Sequence, residues 1–195
     1  MEREVDFLFE IGTLRHVART WNQFGGLPMA NDAEHTFRVA MLAWLLASKE
    51  GADTGKVAKM ALIHDLTETR CGDVHYLSRL YTERNEAKAT EDQTAGVATQ
   101  DEMQELATEY EERESLAARI VKDADNLDVE LELKEGMARG EDFCRILHEK
   151  RVILREKLFT ESARELFDAI RAADPNDWHG KASNRFTAGD WQSKK

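Results

Sequence analysis

His64 and Asp65 sit side by side at the end of a largely apolar run that begins at Val57, and Glu68 follows three positions after the aspartate. Burying an imidazole and a carboxylate in such a run is costly unless each finds a partner. A divalent metal ion partners both, because imidazole nitrogen and carboxylate oxygen are donors that first-row metals accept from proteins. In helical register Val57, Ala61, His64, Asp65 and Glu68 fall at i, i+4, i+7, i+8 and i+11, a stripe along which apolar contact gives way to chemistry. Adjacent helical residues point about 100° apart, so His64 and Asp65 reach one ion only if it lies beside the helix, between their two directions. Glu68 then shares their face and can hold or deprotonate an attacking water.

The pair alone is a weak signal, since a buried histidine is more often hydrogen-bonded within a core than bound to metal. Two further features add to it. His35 opens a long helical pattern, between Glu34 and the dipeptide Thr36-Phe37. Farther along, Asp123, Asp125 and Asp128 punctuate a run that otherwise has the spacing of a packed helix. Spacing admits one of these carboxylates facing inward or all three lining a polar edge, and it does not choose among them.

These residues need elements to carry them. Val5, Leu8, Phe9, Ile11 and Leu14 predict a first helix over residues 3–19, followed by a loop around Gly25-Gly26-Leu27-Pro28. Asn31 or Asp32 caps a second helix that runs to Lys49. Its Phe37, Met41, Trp44, Leu45 set and its Val39, Leu42, Leu46 set cover different faces, which places that helix centrally. Gly51 closes it. Thr54 is the expected cap of a third helix, ending near Cys71-Gly72 with Asp73 just beyond in a turn. Residues 83–113 are dense in charge and predict one or two surface helices. A fifth helix spans Ser115 to about Arg139, and one or two more close the fold between Phe143 and Ile170.

Prolines stand only at 28 and 175, so nothing between them breaks a helix, and the expected class is all-α. The 195 residues suit one helical domain over 1–174 and an irregular tail over 175–195. That tail carries Trp178, Phe186 and Trp191, which suit docking on the domain or on a partner.

A formal charge of -11 argues against a nucleic-acid polymer as partner, since such binding rests on neutralising phosphates with Lys and Arg. A small phosphorylated ligand needs only one or two local cations. The longest apolar run, Val39 to Ala47, is far short of the ~20 residues that span a bilayer, so no membrane association is expected. The start of the chain lacks a basic segment followed by an apolar one. With two cysteines, Cys71 and Cys144, and no metal knuckle, the expected compartment is the cytoplasm.

The order of these motifs, H then HD then D on separate helices, resembles the HD-domain phosphohydrolase superfamily. Within it the chain is similar to the 5′-deoxynucleotidases. Asp32-Ala33-Glu34-His35-Thr36-Phe37-Arg38 resembles their first-histidine motif, Ile63-His64-Asp65-Leu66-Thr67-Glu68 with Gly72-Asp73 their HDxxE and GD segments, and Val121-Lys122-Asp123-Ala124-Asp125 their last-ligand helix. The likeness covers most of residues 12–143. The chain departs from the pattern at Val74-His75-Tyr76, where proline is common, and in the single residue that separates Arg19 from Trp21.

The resemblance implies a compact HD-domain helical bundle. It makes His35, His64, Asp65 and Asp125 the ligands of one divalent metal, which selects Asp125 among the three carboxylates. It gives Glu68 and Asp73 to the reaction, with Asp73 serving the leaving sugar oxygen or a sugar hydroxyl, and it gives Arg19 and Trp21 to the substrate. Two imidazoles and two carboxylates form a mixed N/O set that suits Mn, Fe, Co, Ni or Zn, with Mg also open. The implied reaction is hydrolysis of (deoxy)nucleoside 5′-monophosphates, in a homodimer. A triphosphohydrolase or a cyclic-nucleotide phosphodiesterase would share the metal ligands. A regulatory protein that binds nucleotides without turnover is the reading of another class.

Overall fold

The computed structural model describes residues 1–25 and 29–181, and its regular elements are helical, as expected. Among the described residues, one isolated bridge between Ala18 and Asn31 is the only β pairing. Helix α1 (Glu2–Ile11) tightens into a 3-10 turn at Gly12–His16, and a short α2 follows (Asn22–Gly25). The first helix therefore stops well before residue 19. Val17 is extended, its carbonyl accepts the Asp32 N–H at 3.1 Å, and this strand-like step turns Arg19 and Thr20 inward.

Helix α3 (Asp32–Glu50) starts on a complete capping box: the Asn31 side chain accepts the Glu34 N–H, and the Glu34 carboxylate accepts the Asn31 N–H. Gly51 closes it, as expected. Helix α4 (Thr54–Ile63) is capped by Asp53 rather than Thr54, the carboxylate accepting from both Gly55 and Lys56. The expected third helix does not continue unbroken. Residues 64–67 tighten into turns with three-residue hydrogen bonds, Leu66 N–H to Ile63 and Glu68 N–H to Asp65, before α5 (Glu68–Cys71).

Two charged helices follow, α6 (Glu86–Thr94) and α7 (Gln100–Glu112). Helix α8 (Leu116–Ala138) begins on the Ser115 cap, then come α9 (Asp142–Lys150), a 3-10 stretch (Arg151–Lys157), α10 (Glu161–Ala172) and α11 (Asp177–Gly180).

Helices α3, α4, α8 and α10 share the main core. Val39, Leu42 and Leu46 meet Val57 and Met60, with Ile120, Ala124 and Leu127 of α8 and Phe167 of α10. Each large side chain buried there contributes about 1.5–3 kcal/mol against exposure. The other α3 set, Phe37, Met41, Trp44 and Leu45, is exposed, so the two sets do occupy opposite faces. A second cluster joins Val129, Leu133 and Cys144 with Trp21 and Met29. Its closeness depends on Gly136, where an added Cβ would lie 2.3 Å from Cys144 Sγ. In the tail Trp178 is exposed; Phe186 and Trp191 lie outside the described residues.

Candidate metal centre and active site

The capping box at Asn31 fixes the first turn of α3, and His35 projects from it into the interior, 1% exposed. Its Nδ1 lies 2.6 Å from Asp128 Oδ2, and Asp128 Oδ1 accepts from Arg38 Nε. A hydrogen bond to Nδ1 aims the opposite nitrogen, and a carboxylate or carbonyl on the far ring nitrogen is the usual support of a metal-ligating imidazole. His64 is oriented in the same way by the Ala61 carbonyl, 2.7 Å from its Nδ1. Both Nε2 atoms are buried without a hydrogen-bond partner.

Two carboxylates meet those nitrogens. Asp65 Oδ2 lies 3.5 Å from His35 Nε2 and 3.2 Å from His64 Nε2, while Asp125 Oδ1 lies 3.3 Å from His35 Nε2. Donors about 2.0–2.2 Å from one ion stand roughly 3–3.5 Å from each other, so the spacing fits a shared ion. Electrostatics agree. Burial opposes a proton on His35, but Asp125, Asp128 and Asp65 together hold its pKa well above the usual value. Burial likewise opposes ionisation of Asp65, yet His64 and His35 hold its pKa well below the ordinary carboxylate range. Asp125 is held down despite burial by Lys122, at 2.7 Å, and by His35. These are acceptors gathered around a point that calls for positive charge.

The three aspartates of α8 each meet a different partner. Asp125 faces the histidines, and Asp128 orients His35. Asp123 accepts the Phe159 and Thr160 N–H groups at 2.9 Å each and so docks the start of α10.

A second acidic group lies beside the first. Single oxygens of Asp32, Glu68 and Asp73 approach within 4.8 Å of one another. Burial, with the charges of Asp65, Asp73 and Asp32 added to it, pushes the Glu68 carboxyl up to about 10. Burial also raises Asp32, to about 6, with Glu68 and Arg19 pulling the other way. The Glu68–Asp32 contact is thus one in which a carboxyl keeps its proton, and Arg19 supplies the nearby cation. Arg19 Nη1 stands 3.7 Å from Asp32, 3.6 Å from Asp65 and 3.9 Å from Asp73. Arg84 reaches Glu68 at 3.5 Å and donates to the Gly72 carbonyl at 3.0 Å. Gly72 has φ of 70°, a left-handed value that suits glycine, and the turn there brings Asp73 back to Thr20. Thr20 donates to Asp73 Oδ2 from its backbone N–H at 2.9 Å and from its hydroxyl at 3.2 Å.

Arg19, Asp65, Glu68, Asp73 and Asp125 line one polar cavity of about 150 Å³ together with His64. His35 abuts it through Asp65 and Asp125. Trp21 is not among the lining residues. Its ring meets His75 edge-on at 5.6 Å, close to Tyr76, and packs on the Val129–Leu133–Cys144 cluster. Asp32, Thr20 and Arg84 have no site role in the sequence reading, and Asp128 is there only one of three carboxylates among which spacing does not choose. Asp32 reads there as a helix cap, and Thr20 and Arg84 are single polar residues whose partners lie more than ten positions away.

A family model described as HD domain matches residues 11–165. The 5′-deoxynucleotidase HDDC2 of Bos taurus is 29% identical over 137 residues, 67% of this chain and 66% of that protein. The Danio rerio protein of the same name is 28% identical over 141 residues, 69% of this chain and 70% of its own length. The chain thus spans about two thirds of these curated relatives. A conserved hypothetical protein from Pyrococcus furiosus superposes with a TM-score of 0.73 at 29% identity, over 87% of this chain and 99% of that one. A predicted metal-dependent phosphohydrolase from Magnetospirillum magnetotacticum gives 0.65 at 28% identity, over 87% and 94%. With its motifs on separate helices of an all-α bundle and the family match over most of its length, the chain belongs to the HD-domain family.

Proposed function

We propose that this protein binds one divalent metal through His35, His64, Asp65 and Asp125 and hydrolyses (deoxy)nucleoside 5′-monophosphates to nucleoside and inorganic phosphate. The observation that carries the reading is the pair of buried, partnerless Nε2 atoms facing two ionised carboxylates, next to Arg19 and Glu68. The relatives named 5′-deoxynucleotidase favour a nucleoside monophosphate as substrate.

A divalent ion held there would lower the pKa of a nearby water and neutralise phosphoryl charge. Mn, Fe, Co, Ni, Zn and Mg all suit the mixed N/O donors. The remaining work falls to the chain. Glu68, three residues from Asp65 across a tight turn, holds the attacking water and takes its proton. A divalent cation bound beside it would bring its raised pKa down toward the range a base needs. Arg19 neutralises phosphate oxygen with its guanidinium. Asp73, fixed by Thr20, either protonates the leaving sugar oxygen or binds a sugar hydroxyl. Trp21 and its aromatic neighbours offer faces for the base.

The exposed α3 stripe of Phe37, Met41, Trp44 and Leu45 favours a homodimer closed across that helix. Among the described residues no helix is long and apolar enough to cross a membrane, and Cys71 and Cys144 are both free thiols, which favours the cytoplasm.

The test is phosphate release from ribo- and deoxyribonucleotides with Mn, Co, Mg and Zn, each with a chelator control. Orthophosphate from monophosphates, lost with chelator, is the expected result. Release of tripolyphosphate would move the substrate to nucleoside triphosphates, and nucleotide binding without any phosphate release would make the protein regulatory.

A further inference from the structure

Helix α7 ends on Arg113, whose φ of 57° and ψ of 18° make it the one non-glycine residue with positive φ among the described residues. That left-handed conformation crowds the Cβ of an L residue and is ordinarily filled by glycine or asparagine. Non-glycine residues held there gather at functional sites, where the surrounding structure over-determines them. Here the constraint is visible. The guanidinium carbon lies 3.3 Å from the centre of the Tyr110 ring, and that ring meets His64 edge-on at 5.7 Å. Arg113 therefore stands one aromatic ring away from a metal-ligand imidazole, and it lines the same cavity as Asp65, Glu68 and Asp125.

The other cations of that cavity are engaged by acceptors of the protein. Arg19 is surrounded by Asp32, Asp65 and Asp73, Lys122 is held by Asp125, and Arg84 by Glu68, Glu86 and the Gly72 carbonyl. Arg79 donates to the Val74 carbonyl. Arg113 has one carboxylate against it where Arg19 has three: its Nη2 stands 3.6 Å from Glu111, beyond a good hydrogen bond, and its Nη1, like the Nε of Arg19, is buried with no partner. A buried donor without an acceptor is destabilising, and an oxygen arriving with a ligand removes that penalty.

The geometry points to Arg113 as a substrate-binding residue that donates from Nη1 to an oxygen of the phosphoryl group. This rests on the phosphohydrolase reading. A guanidinium matches phosphate in charge and in donor geometry, and a cavity of about 150 Å³ suits a phosphoryl group and water rather than a whole nucleotide. The strained backbone and the stacking on Tyr110 hold the side chain in place before the anion arrives.

The variants Arg113→Gly and Arg113→Lys test this in the metal-loaded full chain, with inorganic phosphate as the probe for calorimetric binding and a 5′-mononucleotide for turnover. Glycine relieves the backbone strain, so Arg113→Gly should fold, keep its metal content and melt near the wild type. Its phosphate Kd and its KM should rise about tenfold or more, the worth of a charge-assisted hydrogen bond. Arg113→Lys retains charge without the fork and should fall between the two. A phosphate Kd within twofold of the wild type in both variants, with metal and melting temperature retained, would reduce Arg113 to a helix terminus stacked on a tyrosine. If Arg113→Gly loses metal or fold, Arg113→Lys alone decides by the same criterion. Wild-type protein that binds phosphate without turning over any nucleotide overturns the proposed reaction and leaves the Arg113 assignment standing.

Discussion

Asp128 Oδ2 lies 2.6 Å from His35 Nδ1, joining the middle of α8 to the first turn of α3 through two almost completely buried side chains. The contact aims His35 Nε2 at Asp65 and Asp125. Asp128→Asn keeps the shape and removes the charge that favours this orientation. Metal affinity, measured by calorimetry, should fall about 10–100-fold, the usual worth of a ligand's supporting partner. An unchanged affinity would show that His35 is positioned by packing alone.

His64→Ala and Asp65→Ala each remove a proposed ligand, so both should lose stoichiometric metal and turnover together. Metal content after dialysis and phosphate release are the two readouts. Full activity in either variant would falsify the ligand assignment.

Glu68→Ala should behave differently. Glu68 is outside the histidine cluster and lies against Asp32, so the metal should remain while the rate falls about 10²- to 10⁴-fold. Loss of metal in parallel with rate would make Glu68 a ligand or a structural residue.

Acid stability has an identifiable contributor far from the site. The Ser162 side chain and its N–H, 3.0 Å from Glu50, hold the Glu50 pKa below its ordinary value of 4.5 and fasten α10 to the end of α3. A folded-state pKa lower than the unfolded one means stability that is present above pH 4.5 and lost as pH falls through the folded value. Glu50→Ala should therefore lower the melting temperature at pH 7, and the difference should shrink as the pH drops below 4.5. A difference independent of pH would exclude the ionised carboxylate as its cause.

Gly136→Ala would place a methyl group 2.3 Å from Cys144 Sγ and 3.0 Å from its Cβ. Overpacking of this kind costs about 1–3 kcal/mol. Denaturant unfolding should show that loss, and the double variant with Cys144→Ala should recover part of it. Additive losses would place the strain elsewhere.

Much of the architecture was legible because it is local. Periodicity alone puts Val39, Leu42 and Leu46 on a different face of α3 from Phe37, Met41, Trp44 and Leu45, while only the packing shows that the second set is exposed. Helix ends were less secure, since Asp53 and Thr54 are both good caps and only the folded backbone shows which side chain reaches the free N–H groups. The break at residues 64–67 carries no glycine or proline to announce it. Asp65 and Glu68 still share a face, because i and i+3 are neighbours in a three-residue turn as well as in an α-helix.

For the site, the sequence by itself determined which residue types stand where along the chain and, through the resemblance of its motifs, which of them are candidates for chemistry. Only the tertiary structure gave Asp123, Asp125 and Asp128 their separate tasks, since those depend on whether α10, α3 or the histidines stand opposite each one. The same holds for the His64-Asp65 pair. It is a dipeptide in the sequence, and its tie to His35 and Asp125 exists only where α3, α4 and α8 pack together, because a carboxylate's partners are set by distance through space.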